Sequence, residues 1–359
     1  MPFIPDINII LKIEEIKKID FITYKLLFIM VIMFNNIPYN VEVIDLSGLD
    51  LSELPRLDMF TNLKELNCSN NRITELINLP KTLLSLDCSN NVIKVLEGLP
   101  RSLVFLNCST NVIKVLKDLP KSLDTLICSD NFIARLYGLP ATLTTLNCSC
   151  NKLKKLEYLP KTLSALNCSS NDLIVLDNLP LKLESLDCSD NKISKLTNIP
   201  KLLLFLSCND NKIEQLNNLP KTLRVLECSH NNLTKINITL KINLDVNAFC
   251  NSTIPFSLLP NINKAIINLE ELNCSNNSIL VLPELPDTLR SLDCCNNNIS
   301  ELYKLPLKLE SLVCDEFVSY NHNENMIVQH PEVSVVDDNI PHVDDNILLV
   351  NDNIPLILA

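Results

Sequence analysis

"LPKTLLSLDCSNNVIKVLEG" runs from Leu79 to Gly98, and "LPRSLVFLNCSTNVIKVLKD" follows at once from Leu99 to Asp118. The same twenty-residue sentence is spoken repeatedly. Leucine recurs at every twentieth position from Leu63 to Leu223, and a second leucine column lies three residues on, from Leu66 to Leu226. Cysteine follows two positions later, from Cys68 to Cys228, and asparagine three beyond that, from Asn71 to Asn231. A Leu-Pro pair, Ile-Pro at Ile199-Pro200, closes each of these units, which read LxxLxCxxNxIxxLxxLPxx.

Leucine, a variable residue and cysteine alternate with a period of two. That spacing predicts a short strand with Leu66 and Cys68 turned inward and Asn67 turned out. The asparagine after it suits a bend, because its amide can satisfy backbone groups that the strand leaves free. The proline blocks helix continuation in the return segment, so an extended or polyproline-like return is expected. One such unit cannot bury its own apolar side. Stacked copies can, as a solenoid with one continuous core.

This pattern resembles the leucine-rich repeat signature, with cysteine in a slot that often holds leucine. The twenty-residue length and Leu-Pro return are similar to the short-repeat class of secreted bacterial effectors of the IpaH and YopM type. The asparagine-rich, cysteine-bearing version also resembles repeat proteins of giant DNA viruses. The resemblance covers residues 41–314. It implies an α/β-type repeat solenoid, a leucine-rich repeat horseshoe, with a parallel β-sheet lining the concave side. It also implies that the concave face binds protein.

The register is interrupted twice. The opening repeat, "VEVIDLSGLDLSELPRLDMF", places Leu46 in the cysteine slot. An irregular insertion fills residues 234–266 before the pattern returns at Leu269, Leu272, Cys274 and Asn277. Residues 1–40 contain "LLFIMVIMF", nine apolar residues where a spanning helix needs about twenty. A helical N-terminal cap over the first repeat is expected there, with no membrane span. From residue 315 to 359 an acidic, largely disordered tail is expected. It carries "VDDNIPHVDDNILLVNDNIPL", which repeats every seven residues but is broken by Pro341 and Pro355.

Composition narrows the function. With only three glycines, the chain offers no series of them to cradle phosphate. A net charge of -11 argues against nucleic acid as a partner. The fifteen cysteines fall almost one to a repeat, as a packing rule rather than a pairing rule. Neighbouring strands about 4.8 Å apart hold parallel thiols wrongly for disulfides, and a straight column does not surround a zinc ion. Each cysteine is therefore read as a small hydrophobe in a tight slot, in a reducing, cytoplasm-like compartment that could be that of a host cell. Cys150 and Cys295 fall outside the column and are expected at the surface as reactive thiols. No catalytic constellation, cofactor motif or metal motif is found, and no enzyme is expected.

The outward strand residues then matter most. Asn67, Asp87, Asn107, Asn147, Asp187, Glu227 and Asp293 form an acid-and-amide column, with Phe105 and Phe205 as aromatic anchors. Lys81, Arg101, Lys121, Lys161, Lys201 and Lys221 follow the prolines as a basic edge. A non-catalytic scaffold that docks a protein with a basic surface on the concave face is the leading reading. The column also suits mutual hydrogen bonding on a solvated face, or calcium held between stacked oxygens. The rival function is a substrate-recognition subunit of a ubiquitin ligase, with residues 1–40 recruiting the enzyme.

Overall fold

The structure, a computed structural model, describes residues 39–236, 268–321 and 326–330. Three-residue strands recur once per repeat. They are β1 (Val43–Asp45), β2 (Glu65–Asn67), β3 (Ser85–Asp87), β4 (Phe105–Asn107), β5 (Thr125–Ile127), β6 (Thr145–Asn147), β7 (Ala165–Asn167), β8 (Ser185–Asp187), β9 (Phe205–Ser207) and β10 (Val225–Glu227). After the insertion come β11 (Glu271–Asn273), β12 (Ser291–Asp293), β13 (Glu301–Leu302), β14 (Ser311–Val313), β15 (Ser319–Tyr320) and β16 (Ile327–Gln329). Fourteen of them form one parallel sheet in chain order, and β13 with β15 makes a two-stranded sheet on the return side.

The register is that of the leucine columns: Leu66 sits opposite Leu86, Leu86 opposite Leu106, and so on. The middle residue of each main-sheet strand from β1 to β14 is buried while its neighbours are at least partly exposed, except for Ser207 in β9, as period-two alternation requires. Leu63, Leu66, Cys68, Ile73 and Leu76 with their equivalents make one core that runs the length of the stack. The return segments are not helical. Each ends in a turn at the proline, where the Leu83 N–H donates to Pro80 O at 3.3 Å, and neighbouring returns touch through single bonds such as Val92 N–H to Ile73 O at 3.1 Å.

The asparagine column does what the sequence leads one to expect. Asn131 Nδ2 donates to the carbonyls of Cys108, Cys128 and Ser129 at 3.0, 3.3 and 2.9 Å. Its Oδ1 accepts the Ile113 N–H at 2.9 Å. One buried amide thus satisfies backbone groups of two consecutive repeats, and the same set recurs from Asn91 to Asn297. A second ladder was not anticipated from sequence. Hydroxyls just after the proline donate backwards, as Thr142 Oγ1 does to Lys121 O and Leu123 O at 2.9 and 2.7 Å.

Two boundaries need comment. Most of the N-terminal segment and most of the insertion lie outside the described residues, but β10 pairs directly with β11, so the insertion interrupts the chain and not the sheet. The sequence reading ends the repeat at Cys314, whereas the sheet continues by one strand, β14 to β16. Val328 takes the leucine slot opposite Leu312, and His330 follows in the cysteine slot, its Nδ1 2.9 Å from Cys314 O. This last repeat is shortened and carries neither consensus residue, which hides it from any search at a fixed period. The tail beyond residue 330 lies outside the described residues.

Candidate functional site

The outward face of the sheet is lined by the first and third residue of every strand. No lysine or arginine occupies any of these positions. Phe105 opens β4 and Phe205 opens β9, both half-buried among small neighbours such as Ser85, Thr125 and Ser185. Five strand steps separate them, about 24 Å at the usual spacing. The structure brings the expected residues onto one surface, as an extended strip rather than a pocket.

The polar members of that strip also have a local task. Asp87 Oδ1 accepts the Ser89 N–H at 2.9 Å and the Ser89 hydroxyl at 2.6 Å. Asp187 does the same with Ser189 at 3.0 and 2.6 Å, Asn107 with Ser109 at 3.2 and 2.8 Å, and Asn147 with Ser149 at 3.1 and 2.8 Å. Asn67 accepts the Ser69 N–H at 3.0 Å, and Asp293 that of Cys295 at 3.2 Å. These are side-chain turns that carry the chain from the strand into the bend. Across the stack, Asn107 Nδ2 donates to Asp87 Oδ2 at 3.1 Å. Glu227 differs: its Oε2 accepts from Asn209 Nδ2 at 3.2 Å, and Asn209 in turn supplies the acceptor that caps the Ser229 N–H at 2.8 Å. Asparagine and aspartate are therefore interchangeable for the turn, and only aspartate adds charge.

Two residues past each cysteine the backbone enters the left-handed region, from Asn70 (φ 56°) through Thr110 (φ 51°) and Cys150 (φ 50°) to His230 (φ 49°). Asn, Asp and Gly favour such positions, and this explains their recurrence better than any ligand does. A second left-handed column before the Leu-Pro pair holds Asn78, Asp118, Asn178, Asn198 and Asn218, and it is where Gly98 (φ 69°) and Gly138 (φ 64°) stand. Two of the three glycines of the chain are thereby accounted for. Nothing in the alternating leucine pattern announces these angles.

The cysteine column is buried from Cys68 to Cys314, and its thiols are unpaired. Burial is the first cause that holds them protonated, followed by the neighbouring sulfur in the column or a nearby carboxylate. Cys68 is pushed up to about 12, and Cys88 through Cys274 are raised well above the ordinary thiol range. Several thiols point at the next strand, as Cys88 Sγ does toward Asn107 O at 3.3 Å. Of the two described cysteines outside the column, Cys150 is exposed and Cys295 is not. Cys295 occupies the serine slot, folded under the Asp293 turn, and burial pushes its thiol up to about 12. Cys150 is also raised, by partial burial and then by the Asp130 carboxylate, the opposite of an activated thiol.

No protein-family model matches this chain, and no curated protein does. Solved structures do. YopM from Yersinia pestis, a leucine-rich effector protein, shares 30% identity with a TM-score of 0.65, covering 80% of this chain and 82% of that one. YopM from Yersinia enterocolitica WA-314 shares 28% identity, TM-score 0.53, over 80% and 72% of the two chains. InlJ from Listeria monocytogenes, whose functional domain includes a cysteine ladder, is 24% identical over 80% and 73%, TM-score 0.54, a likeness of fold. Taken with the twenty-residue register, the stacked parallel strands and the asparagine ladder, these likenesses show that the chain belongs to the leucine-rich repeat family.

Proposed function

We propose that this solenoid is a non-catalytic recognition scaffold and that its outward sheet face docks a protein partner with a basic surface. One observation carries the reading: every outward strand position is free of cations while Asp87, Asp187, Glu227 and Asp293 contribute carboxylates. Such one-sidedness steers a cationic partner and excludes an anionic one. Phe105 and Phe205 supply apolar contact between the charges. The leucine-rich neighbours, among them an effector protein, support a binding role over a catalytic one. The ubiquitin-ligase alternative rests on residues 1–40, nearly all outside the described residues, and no observation favours it.

The test exploits the interchangeability of Asn and Asp in the turn. Asp87→Asn, Asp187→Asn and Asp293→Asn together remove three charges and keep each turn acceptor, losing only the exposed-side bond from Asn107 to Asp87, so the fold persists where lysine substitutions would break the turns. Intact and substituted proteins would be compared as baits in host-cell lysate at moderate and high salt. Basic proteins retained by the parent and lost from the triple variant support the proposal. A partner list unchanged by the variant sinks it.

A further inference from the structure

The return side of the solenoid carries the opposite character from the sheet face. The position immediately ahead of Leu96 and its equivalents is exposed in every repeat. From Val95 onward it reads Val95, Val115, Arg135, Lys155, Val175, Lys195, then Gln215, Lys235 and Val281. Between Val95 and Val281 this column mixes apolar and basic side chains with one amide and holds no carboxylate, while Glu75 and Glu301 stand at its two ends. The residue before it adds Lys94, Lys114 and Lys154 together with Ile174 and Leu280, and one carboxylate, Glu214. The valines are far from buried, 43% exposed at Val95, 47% at Val175 and 60% at Val281. A groove of about 680 Å³ opens between Val95, Val115 and Phe132, rimmed by Lys94, Lys114 and Lys117.

An acidic segment rich in β-branched residues is what such a track would hold, and this chain possesses one. Residues 331–359 contain no lysine or arginine and say "VDDNI" at Val336–Ile340 and Val343–Ile347, then "VNDNI" at Val350–Ile354. We propose that this segment docks on the return side of its own solenoid, valine and isoleucine against the exposed valines and aspartates against the lysine rim.

The dimensions agree. The Val281 patch follows β11, three strand steps from β16, and the chain leaves the sheet at His330, six residues before Val336. Six residues span at most about 20 Å and three steps about 14 Å. The Val175 patch lies four steps beyond Val281, and the Val95 patch four steps beyond that. Four steps are about 19 Å, and seven residues of extended or polyproline-like chain are about 22 Å. Three apolar motifs at a period of seven thus meet three apolar patches at nearly the same interval. That match gives the heptad spacing of the segment a purpose that a coiled coil, barred by its prolines, does not.

The experiment uses the full chain, a version ending at His330, and a fluorescently labelled synthetic peptide of residues 331–359. The peptide should bind the truncated protein and bind the full chain at least about tenfold more weakly, because the tethered copy competes. On the truncated protein, Lys94→Glu with Lys114→Glu and Lys154→Glu should weaken binding by about tenfold and leave what remains less sensitive to salt. Val95→Ser with Val115→Ser and Val175→Ser should weaken it comparably with the salt dependence kept. All six side chains are exposed, so circular dichroism should match the parent. Equal affinity for full and truncated chains overturns the proposal, as does indifference to both ridge variants. A full chain that is dimeric by light scattering and becomes monomeric on truncation also overturns it, by placing the segment on a second copy. The sheet-face aspartate variant leaves all these readings unchanged, so failure here and failure of the recognition proposal are separable.

Discussion

Asn131 shows how much one side chain can hold. Its amide closes three carbonyls and one N–H contributed by two repeats, all away from water. Asn131→Ala orphans the Ile113 N–H and weakens the rest, and each buried backbone group left unpaired costs about 1–3 kcal/mol. We expect a loss of about 3 kcal/mol in urea unfolding, among the larger single-site effects in the chain. Thr110 points the other way. It is β-branched at φ 51°, in a column where neighbours carry Asn and Asp. Thr110→Asn should stabilise by about 1 kcal/mol, read as a higher urea midpoint, since a left-handed residue without a branched Cβ relieves that strain. An unchanged midpoint would mean that the Thr110 side chain makes a compensating contact.

At the scale of the strand, the slot two residues past the buried leucine accepts a limited volume. Leu46 fills it in the first repeat, where β1 is the edge of the sheet, and cysteine fills it from β2 to β14. Cys128 is fully buried between Cys108 and Cys148 in the column. We expect Cys128→Leu to overpack the stack and destabilise by about 1–3 kcal/mol, although leucine suits the same slot at the edge. Thermal unfolding of this variant beside Leu46→Cys, which instead leaves a small void, measures the slot in both directions. The strand, its inward leucine and its cysteine were legible from a period of two. The turn acceptors at Asp87 and Asp187 were legible only as polar residues, because an Asx turn and a binding carboxylate look alike in one dimension.

Across the whole molecule, the cysteine column ties stability to alkaline pH. Its thiols are held above their ordinary range by burial, Cys68 up to about 12 and Cys314 up to about 11. The unfolded chain releases those protons near the usual thiol value of about 8.5, while the folded chain keeps them. Between the two values the native state binds more protons, so stability falls as pH rises. It is fully present below about pH 8 and is lost at up to about 1.4 kcal/mol per pH unit for each thiol involved. The urea midpoint should drop steeply from pH 9 to 10.5, and Cys128→Ala should lessen the slope. In native protein Cys150 should react slowly with a thiol reagent and the column not at all. Rapid labelling of Cys128 would contradict a closed core.

Spacing along the chain is enough to specify the solenoid: its period, the inward leucine and cysteine columns, the asparagine bend and the extended return all follow from rules that any stacked repeat must obey. It also placed Asn67, Asp87, Phe105, Asn107, Asn147, Asp187, Phe205, Glu227 and Asp293 on one face, because alternate strand residues share a side. Tertiary structure decided the rest. It added the shortened repeat ending at His330, where pairing with β14 replaced any consensus residue. It buried Cys295 while leaving Cys150 exposed, a difference set by which turn each occupies. It also brought Val95, Val175 and Val281 into one line along the return side, since only stacking turns residues eighty or more positions apart in the chain into neighbours on a track.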